Sequence, residues 1–464
     1  MDKQLLSYPT EFFYLAALIG VILILVRPRW AFLFSVFGLA VRNYHTAVNT
    51  RSAFLGEFVN LNDLFLWIGI LSAMKLAWQG QKLWVPKILL AIIAILVVGD
   101  FQSLFRYGFS YEIMQTAWWA WTFPLAMLAA ANVVRDNEDA RLFYWALFIG
   151  ALGAAMQHLV FMKEQVMADK ISFTLGGLRT IEFMASGGIF LVISAFFLDM
   201  RRLSQRSYIF IFWTMGLPFI VISYIMSFTR TIWVGAAMAF VSLVILFYRD
   251  RGKLFFRFGY SLALLAFILL AFQLTSAYVL KGVNLEESID ERTDFIRYNE
   301  SFEEAYQTRE NGMETELRLW QDGSIIWGVG SCYSPSLFNA SVEEVGALGH
   351  VAFSTYLAHF GLIGLITYGL FLPFLTIRIG RRYLLYHKLD YGGAIVITAM
   401  AVAFFDLFTL LSSNQYISPN GHVQGLIYGA MWGLSRSLPM NSSKNSPNRL
   451  MLHRIQQWLP GSIR

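Results

Sequence analysis

The stretch SYIFIFWTMGLPFIVISYIMSFTRTIWVGAAMAFVSLVILFYRDR, residues 207–251, decides the fold class. Two apolar runs, 208–228 and 231–248, flank a single charge, Arg230. Each run is close to the roughly 17–25 residues needed to cross a hydrocarbon core about 30 Å thick. A charge at the centre of a spanning helix costs about 2.5–3.5 kcal/mol, and less near its ends. The connection SFTRT is too short to hold Arg230 far from the bilayer, so keeping a charge there must gain something.

The same pattern fills the chain. Of its 464 residues, 57% are hydrophobic, 16% aromatic and only 14% charged, against about 25% charged in a typical soluble domain. This composition predicts an all-α, polytopic integral membrane bundle. Candidate spans are 12–26, 30–41, 61–78, 83–99, 114–134, 142–162, 183–200, 208–228, 231–248, 258–277, 352–376, 391–411 and 422–435, of which the second and last are short, giving 12 or 13. The run Phe12–Val26 lacks a positive leader and a small-residue cleavage site, so it reads as a retained anchor. One membrane domain, 1–435, is expected, with a basic cytoplasmic tail, 436–464, that carries an amphipathic piece around Leu450–Leu459 near anionic headgroups.

Orientation follows from the middle of the chain. Arg201, Arg202 and Arg206, then Arg249, Arg251, Lys253 and Arg257, then Arg378, Arg381, Arg382 and Lys388 fall in alternate loops. The positive-inside rule assigns these to the cytoplasm. The loop 278–350 then faces outward, with 14 acidic residues against 5 basic ones in a chain whose net charge is +6. The parity of the spans leaves the side of the N-terminus open. Trp118, Trp119 and Trp121 read as an interfacial aromatic belt.

Within and behind that outer loop lie ETELRLW (314–320), IIWGVGS (325–331) and GHVAFSTYLAHFGLIGL (349–365). They read as a polar approach, a glycine turn and a helix entering the bilayer behind a histidine. His350, Leu357, Gly361 and Gly364 fall at i, i+7, i+11 and i+14, one stripe of a straight helix. The two glycines would let a neighbouring helix approach closely. His359, nine residues beyond His350, falls on the opposite face and about 13.5 Å deeper, so it reads as a hydrogen-bonded interior residue.

These segments resemble the signature region of the O-antigen ligase and O-antigen polymerase family. Arg318 matches its arginine-containing helix, Gly328 and Gly330 its Gly-x-Gly turn, and His350 with Gly361 and Gly364 its histidine eleven residues before G-L-x-G. SFTRT is similar to the Ser/Thr-Arg-Thr box that precedes a span in that family. Val351 stands where the family usually has asparagine. The resemblance covers roughly 227–433.

What the resemblance implies is a fold like the lipid-donor glycosyltransferases and an inverting, metal-independent transfer. A glycan would move from a polyprenyl (undecaprenyl) diphosphate carrier to an acceptor sugar hydroxyl, another carrier-linked repeat or a lipid A core sugar. The setting would be the outer face of a bacterial cytoplasmic membrane, in lipopolysaccharide or exopolysaccharide synthesis, with membrane lipid and a chain-length regulator as further partners. Guanidinium forks grip phosphate oxygens and stay charged at any working pH, so Arg230 and Arg318, with Arg179 as a third, are assigned to the donor diphosphate. His350, with an ordinary pKa near 6.5, would take the acceptor proton. The bland alternatives are arginines that snorkel or pair with acids, and a histidine that satisfies a helix end.

Other residues promise less. Cys332, the only cysteine, has no base fixed beside it and reads as structural. Glu343, Glu344 and His350 match no compact ligand set, so neither metal nor cofactor is expected. The sequence holds no Walker loop and no Rossmann fingerprint, which argues against a nucleotide as direct energy source, and no nucleic-acid partner is expected. Asp406, inside a span, requires a partner, while Asp63 could sit at the interface or cap its helix. A transporter or flippase of a lipid-linked saccharide is the rival from another class; it predicts glycine-broken helices in two matching halves, and no internal repeat is evident.

Overall fold

A computed structural model describes residues 10–41, 61–109, 111–167, 187–198, 206–225, 230–251, 299–330, 351–387, 389–410 and 421–438, together with residues 203, 266 and 270. The expected span 258–277, the tail beyond 438, and Arg179, Cys332, Glu343, Glu344 and His350 lie outside the described residues; Arg230 is described in its backbone alone. In chain order the helices are α1 (Thr10–Val26), α2 (Pro28–Val41), α3 (Leu61–Trp78), α4 (Lys87–Tyr107), α5 (Tyr111–Val133), α6 (Asn137–Met167), α7 (Gly188–Ala195), α8 (Ser207–Ile225), α9 (Arg230–Arg251), α10 (Asn299–Asp322) and α11 (Ala352–Gly364). A π-helical turn, Leu365–Phe371, leads into α12 (Leu372–Tyr386), followed by α13 (Tyr391–Thr409) and α14 (Gly421–Leu434).

The described residues contain no strand, only an isolated bridge between Ser324 and Gly328. Among the described residues, six helical segments are long and apolar enough to cross a membrane, and three shorter ones are also apolar. α8 is apolar around nearly its whole circumference, as a helix surrounded by lipid or by other helices is. The outer faces of α1 and α8 leave Leu18, Val21, Leu25, Ile211 and Met215 exposed. In water that would be an aggregation surface; in hydrocarbon it costs nothing. This is a helical membrane protein.

The centre of the bundle is α14 against α5. Gly425, Gly429 and Gly433 recur every fourth residue on α14, and a Cβ on any of them would run into backbone carbonyls of α5 or the residue just after it, at Phe123, Met127 and Val134 respectively. Small residues at this spacing bring two helix backbones together where lipid gives no hydrophobic drive for association. α13 is buried along almost its whole length and carries Asp406, whose Oδ2 accepts the Tyr428 hydroxyl of α14 at 2.6 Å. A phenol is thus one partner of this intramembrane carboxylate.

Polar contacts define the two ends of the bundle. At one end Arg29 pairs with Asp139 at 3.7 Å, Arg135 and Arg436 both bond Asn132, and the Gly392 amide donates to Asn137. These link the ends of α1, α5 and α14 with the starts of α2, α6 and α13. α1 and α14 thus both run into this basic end. The opposite end holds the starts of α9 and α11.

Candidate functional site

Gly361 breaks the helix that the sequence reading took as straight. Its backbone sits at φ 62° and ψ −160°, a region essentially closed to residues with a side chain. In a continuous helix the amides of Leu362 and Ile363 would bond the carbonyls of Ala358 and His359. Instead Leu362 N–H donates to Ile325 O at 3.0 Å and Ile363 N–H to Ile326 O at 3.2 Å. The freed carbonyls are taken in turn: Val329 N–H donates to Ala358 O at 2.7 Å and Gly330 N–H to His359 O at 3.0 Å. Two helical bonds are opened and four bonds to residues 325–330 replace them.

The glycine turn is what fits into the opening. A Cβ on Gly328 would strike the carbonyl of Ala358, and one on Gly330 would lie 2.9 Å from Gly99 O and against the Ser103 hydroxyl of α4. The segment is therefore wedged between α4 and α11 with most of its backbone polar groups bonded, which is how irregular backbone is tolerated at membrane depth. Gly361 serves the approach of this loop, where that of a whole neighbouring helix was expected, and Gly328 and Gly330 form the expected turn. The predicted stripe through His350, Leu357, Gly361 and Gly364 fails for the same reason: Val351 is extended at φ −118° and ψ 112°, so the helix begins after His350. His359 fits its expected role, being buried, with Nδ1 3.2 Å from Gly330 O.

α10 leads into the loop and is fastened to the start of α11 by a buried carboxylate. Glu316 is 1% exposed; it accepts the Thr355 hydroxyl at 2.9 Å and the Ser354 hydroxyl in a short contact. Leu319 packs with Val329 and Ala358, and Tyr107 of α4 closes over them. Sequence reasoning passed over Glu316. Its signal was there: in ETELRLW this acid shares a helix face with Leu319 and Trp320, three and four residues on, which is the place for a paired charge rather than a solvated one.

Arg318, two residues from Glu316, is turned away from that interface. It is 72% exposed and pairs with Glu314 at 3.1 Å across one helical turn. Arg230 opens α9, whose Gly235 packs against Phe405 and Thr409 of α13. The next residue of that strand of contacts, Leu410, accepts the Phe353 amide at 2.9 Å. The start of α9, the end of α13, the start of α11 just after His350, and the Arg318 half of α10 therefore meet at one end of the bundle. Of the four residues assigned to chemistry, only Arg318 has a described side chain; the helix that Arg230 opens and the segment that follows His350 reach the same end, and Arg179 lies outside the described residues.

One further cation stands at this end. Arg106 lies beside Tyr107 on α4, where Val98, Phe101, Gln102, Phe105 and Arg106 line an open groove. Phe101 and Phe105 are exposed. The Trp118 indole donates to Asp63 Oδ1 and the Trp121 indole to Asp100 Oδ2, each at 2.7 Å. They bind helices α3, α4 and α5 together in addition to any interfacial role, and Asp63 is buried.

Among the described residues no group of three or more His, Cys, Asp or Glu side chains could hold a metal ion. In comparisons with known proteins, no family model matches this chain and no curated protein is recognisably similar to it.

Proposed function

We propose that this protein transfers a glycan from a polyprenyl-diphosphate carrier to an acceptor sugar hydroxyl, as an O-antigen ligase or polymerase does. The observation that supports this most directly is the gathering, at one end of the bundle, of the helix start bearing Arg230, the face of α10 bearing Arg318 and the segment that follows His350. In the reaction, the acceptor oxygen attacks the anomeric carbon and the bond from that carbon to the diphosphate oxygen breaks. The polyprenyl diphosphate leaves with the electron pair, and the acceptor proton goes to His350. A direct displacement of this kind inverts the anomeric configuration. Arg230 and Arg318, with Arg179 as a third cation, meet the charge that grows on the departing diphosphate. The exposed pairing of Arg318 with Glu314 suits this task, because such a pair is worth only about 0.3–0.5 kcal/mol and yields readily to a phosphate. The apolar groove along α4, ending at Gln102 and Arg106, is a natural entrance for the isoprenoid.

The orientation belongs to the same reading. The end holding Arg29, Arg135 and Arg436 is the cytoplasmic one, and the site opens to the outside of a bacterial cytoplasmic membrane. That α1 and α14 both run into the basic end supports an odd number of crossings from α1 to α14, and of the two expected counts thirteen agrees with it.

The broken helix at Gly361 favours a second reading, a transporter of a lipid-linked saccharide, since transporters use such breaks to coordinate their cargo. Here the four backbone groups freed at the break are all taken by residues 325–330, which leaves none for a ligand and weighs against it. The deciding experiment reconstitutes the purified protein with a lipid-linked oligosaccharide. A ladder from the donor alone means polymerase; product only with lipid A core means ligase. Movement of intact donor across the vesicle with no transfer overturns the proposal in favour of transport.

A further inference from the structure

At the basic end, α14 gives way to a single 3₁₀ turn, Ser435–Ser437, and Arg436 in that turn is held unusually. Its guanidinium carbon lies 4.5 Å from the centre of the Trp84 ring and its Nη2 donates to Asn132 Oδ1 at 3.0 Å. Its Nε is buried with no acceptor among the described residues. Arg135 stands on the same asparagine, with Nε donating to Asn132 O at 2.8 Å and Nη2 to Lys82 O at 3.4 Å.

Asn132 is itself fixed. Its Oδ1 accepts from Trp84 N at 2.7 Å, and its Nδ2 donates to Trp84 O and Leu128 O, both at 2.9 Å. The two guanidinium groups are thus set side by side on a rigid platform. Burial and the neighbouring Arg135 charge pull Arg436 from its ordinary value down to about 10.

The carboxylates nearby are otherwise engaged. Asp139 faces Arg29 at 3.7 Å and the Arg135 backbone amide at 3.3 Å, and draws on the Arg135 charge as well. Asp136 accepts the amides of Glu138 and Asp139, and Glu138 pairs with Arg141 at 3.8 Å. None of them pairs with Arg436. Residues 407–464 supply no carboxylate side chain either, because no Asp or Glu occurs among them.

Two cations held together at the expense of their own electrostatics call for an anion between them. Phosphate oxygens are what a pair of guanidinium forks fits best. The pair sits where α5 ends and α14 has just ended, beside an indole, which is headgroup depth for a spanning helix. We propose that Arg135 and Arg436, set on Asn132 and Trp84, bind the phosphate of an anionic phospholipid headgroup and so tie the end of α14 to the 82–86 segment and α5. This site is independent of the chemistry proposed at the other end.

The test uses the full chain, purified and delipidated in a neutral detergent, with thermal unfolding read after adding phosphatidylglycerol, phosphatidylcholine or inorganic phosphate. Phosphatidylglycerol should raise the midpoint by several degrees more than phosphatidylcholine does. That difference should vanish in Arg436→Gln and in Arg135→Gln, and persist when Lys444, Arg449 and Arg454 are all changed to Gln. Should Arg436→Gln fail to fold, Arg135→Gln alone carries the comparison. Equal effects of the two lipids, or a difference that survives in both single variants, overturn the site. A full effect of inorganic phosphate overturns the lipid as its occupant, and loss of the difference in the tail variant moves the binding to the tail.

Discussion

Gly361 and Ile326 meet backbone to backbone, so closely that a methyl group on Gly361 would occupy the space of the Ile326 carbonyl. The C-terminal part of α11 is arranged around this contact. It holds the 325–330 loop in the opened helix, and the loop in turn sits against α4.

Gly361→Ala should therefore do two kinds of damage. An alanine in this backbone conformation costs about 1–3 kcal/mol by itself, and expelling the loop forfeits bonds worth roughly 0.5–1.5 kcal/mol each. The expected outcome is a large fall in thermal midpoint in detergent. A variant that melts with the wild type would show that loop and break are not coupled.

The clasp between Glu316 and the start of α11 makes a second prediction. Leaving either side of a buried hydrogen bond unsatisfied costs about 1–3 kcal/mol. Glu316→Ala and Thr355→Val should each destabilise, and the double variant should lose less than the sum by roughly 0.5–3 kcal/mol of coupling. Strict additivity in a double-mutant cycle would mean that the contact contributes nothing.

Arg318 gives the opposite signature. Its pairing with Glu314 is exposed, and exposed pairs one helical turn apart contribute about 0.3–0.5 kcal/mol. Arg318→Ala should unfold within a degree or so of the wild type while glycan transfer in the reconstituted assay is lost. Transfer at the wild-type rate would remove Arg318 from the proposed chemistry. Arg230→Lys, which keeps the charge and loses the fork, should lose transfer too, and so should His350→Ala.

Trp118 and Trp119 are adjacent, and only Trp118 has a described side-chain hydrogen bond, to Asp63. Trp118→Phe leaves a buried carboxylate short of a donor and should cost about 1–3 kcal/mol. Trp119→Phe should cost much less. Equal losses would return both residues to an interfacial belt.

Hydropathy made the helices easy to read. The expected spans 12–26, 61–78 and 391–411 match α1, α3 and α13 to within two residues, because a run that must cross lipid has few other ways to be arranged. The interior polar contacts were harder, since a tryptophan at a span end looks the same whether it meets headgroups or the carboxylate of Asp63. Some signals were present and overlooked. Glycines at 421, 425, 429 and 433 are a small-residue stripe of the kind that joins α14 to α5, and the acid on the apolar face of ETELRLW announced the Glu316 clasp. The break at Gly361 was not legible from α11 alone. Phe360-Gly361-Leu362 reads as ordinary helix until the backbone of residues 325–330 is placed beside it, and that pairing spans thirty residues of sequence.

The exchange of bonds at Gly361 also constrains how the molecule is made. Residues 324–330 leave the ribosome before 358–363, so the loop waits for its partner while the later segment is inserted. During insertion that segment is satisfied in lipid only as an unbroken helix. On that order the incoming loop opens a helix that is already inserted, and mutations at these glycines should show as slow or failed assembly of an inserted chain.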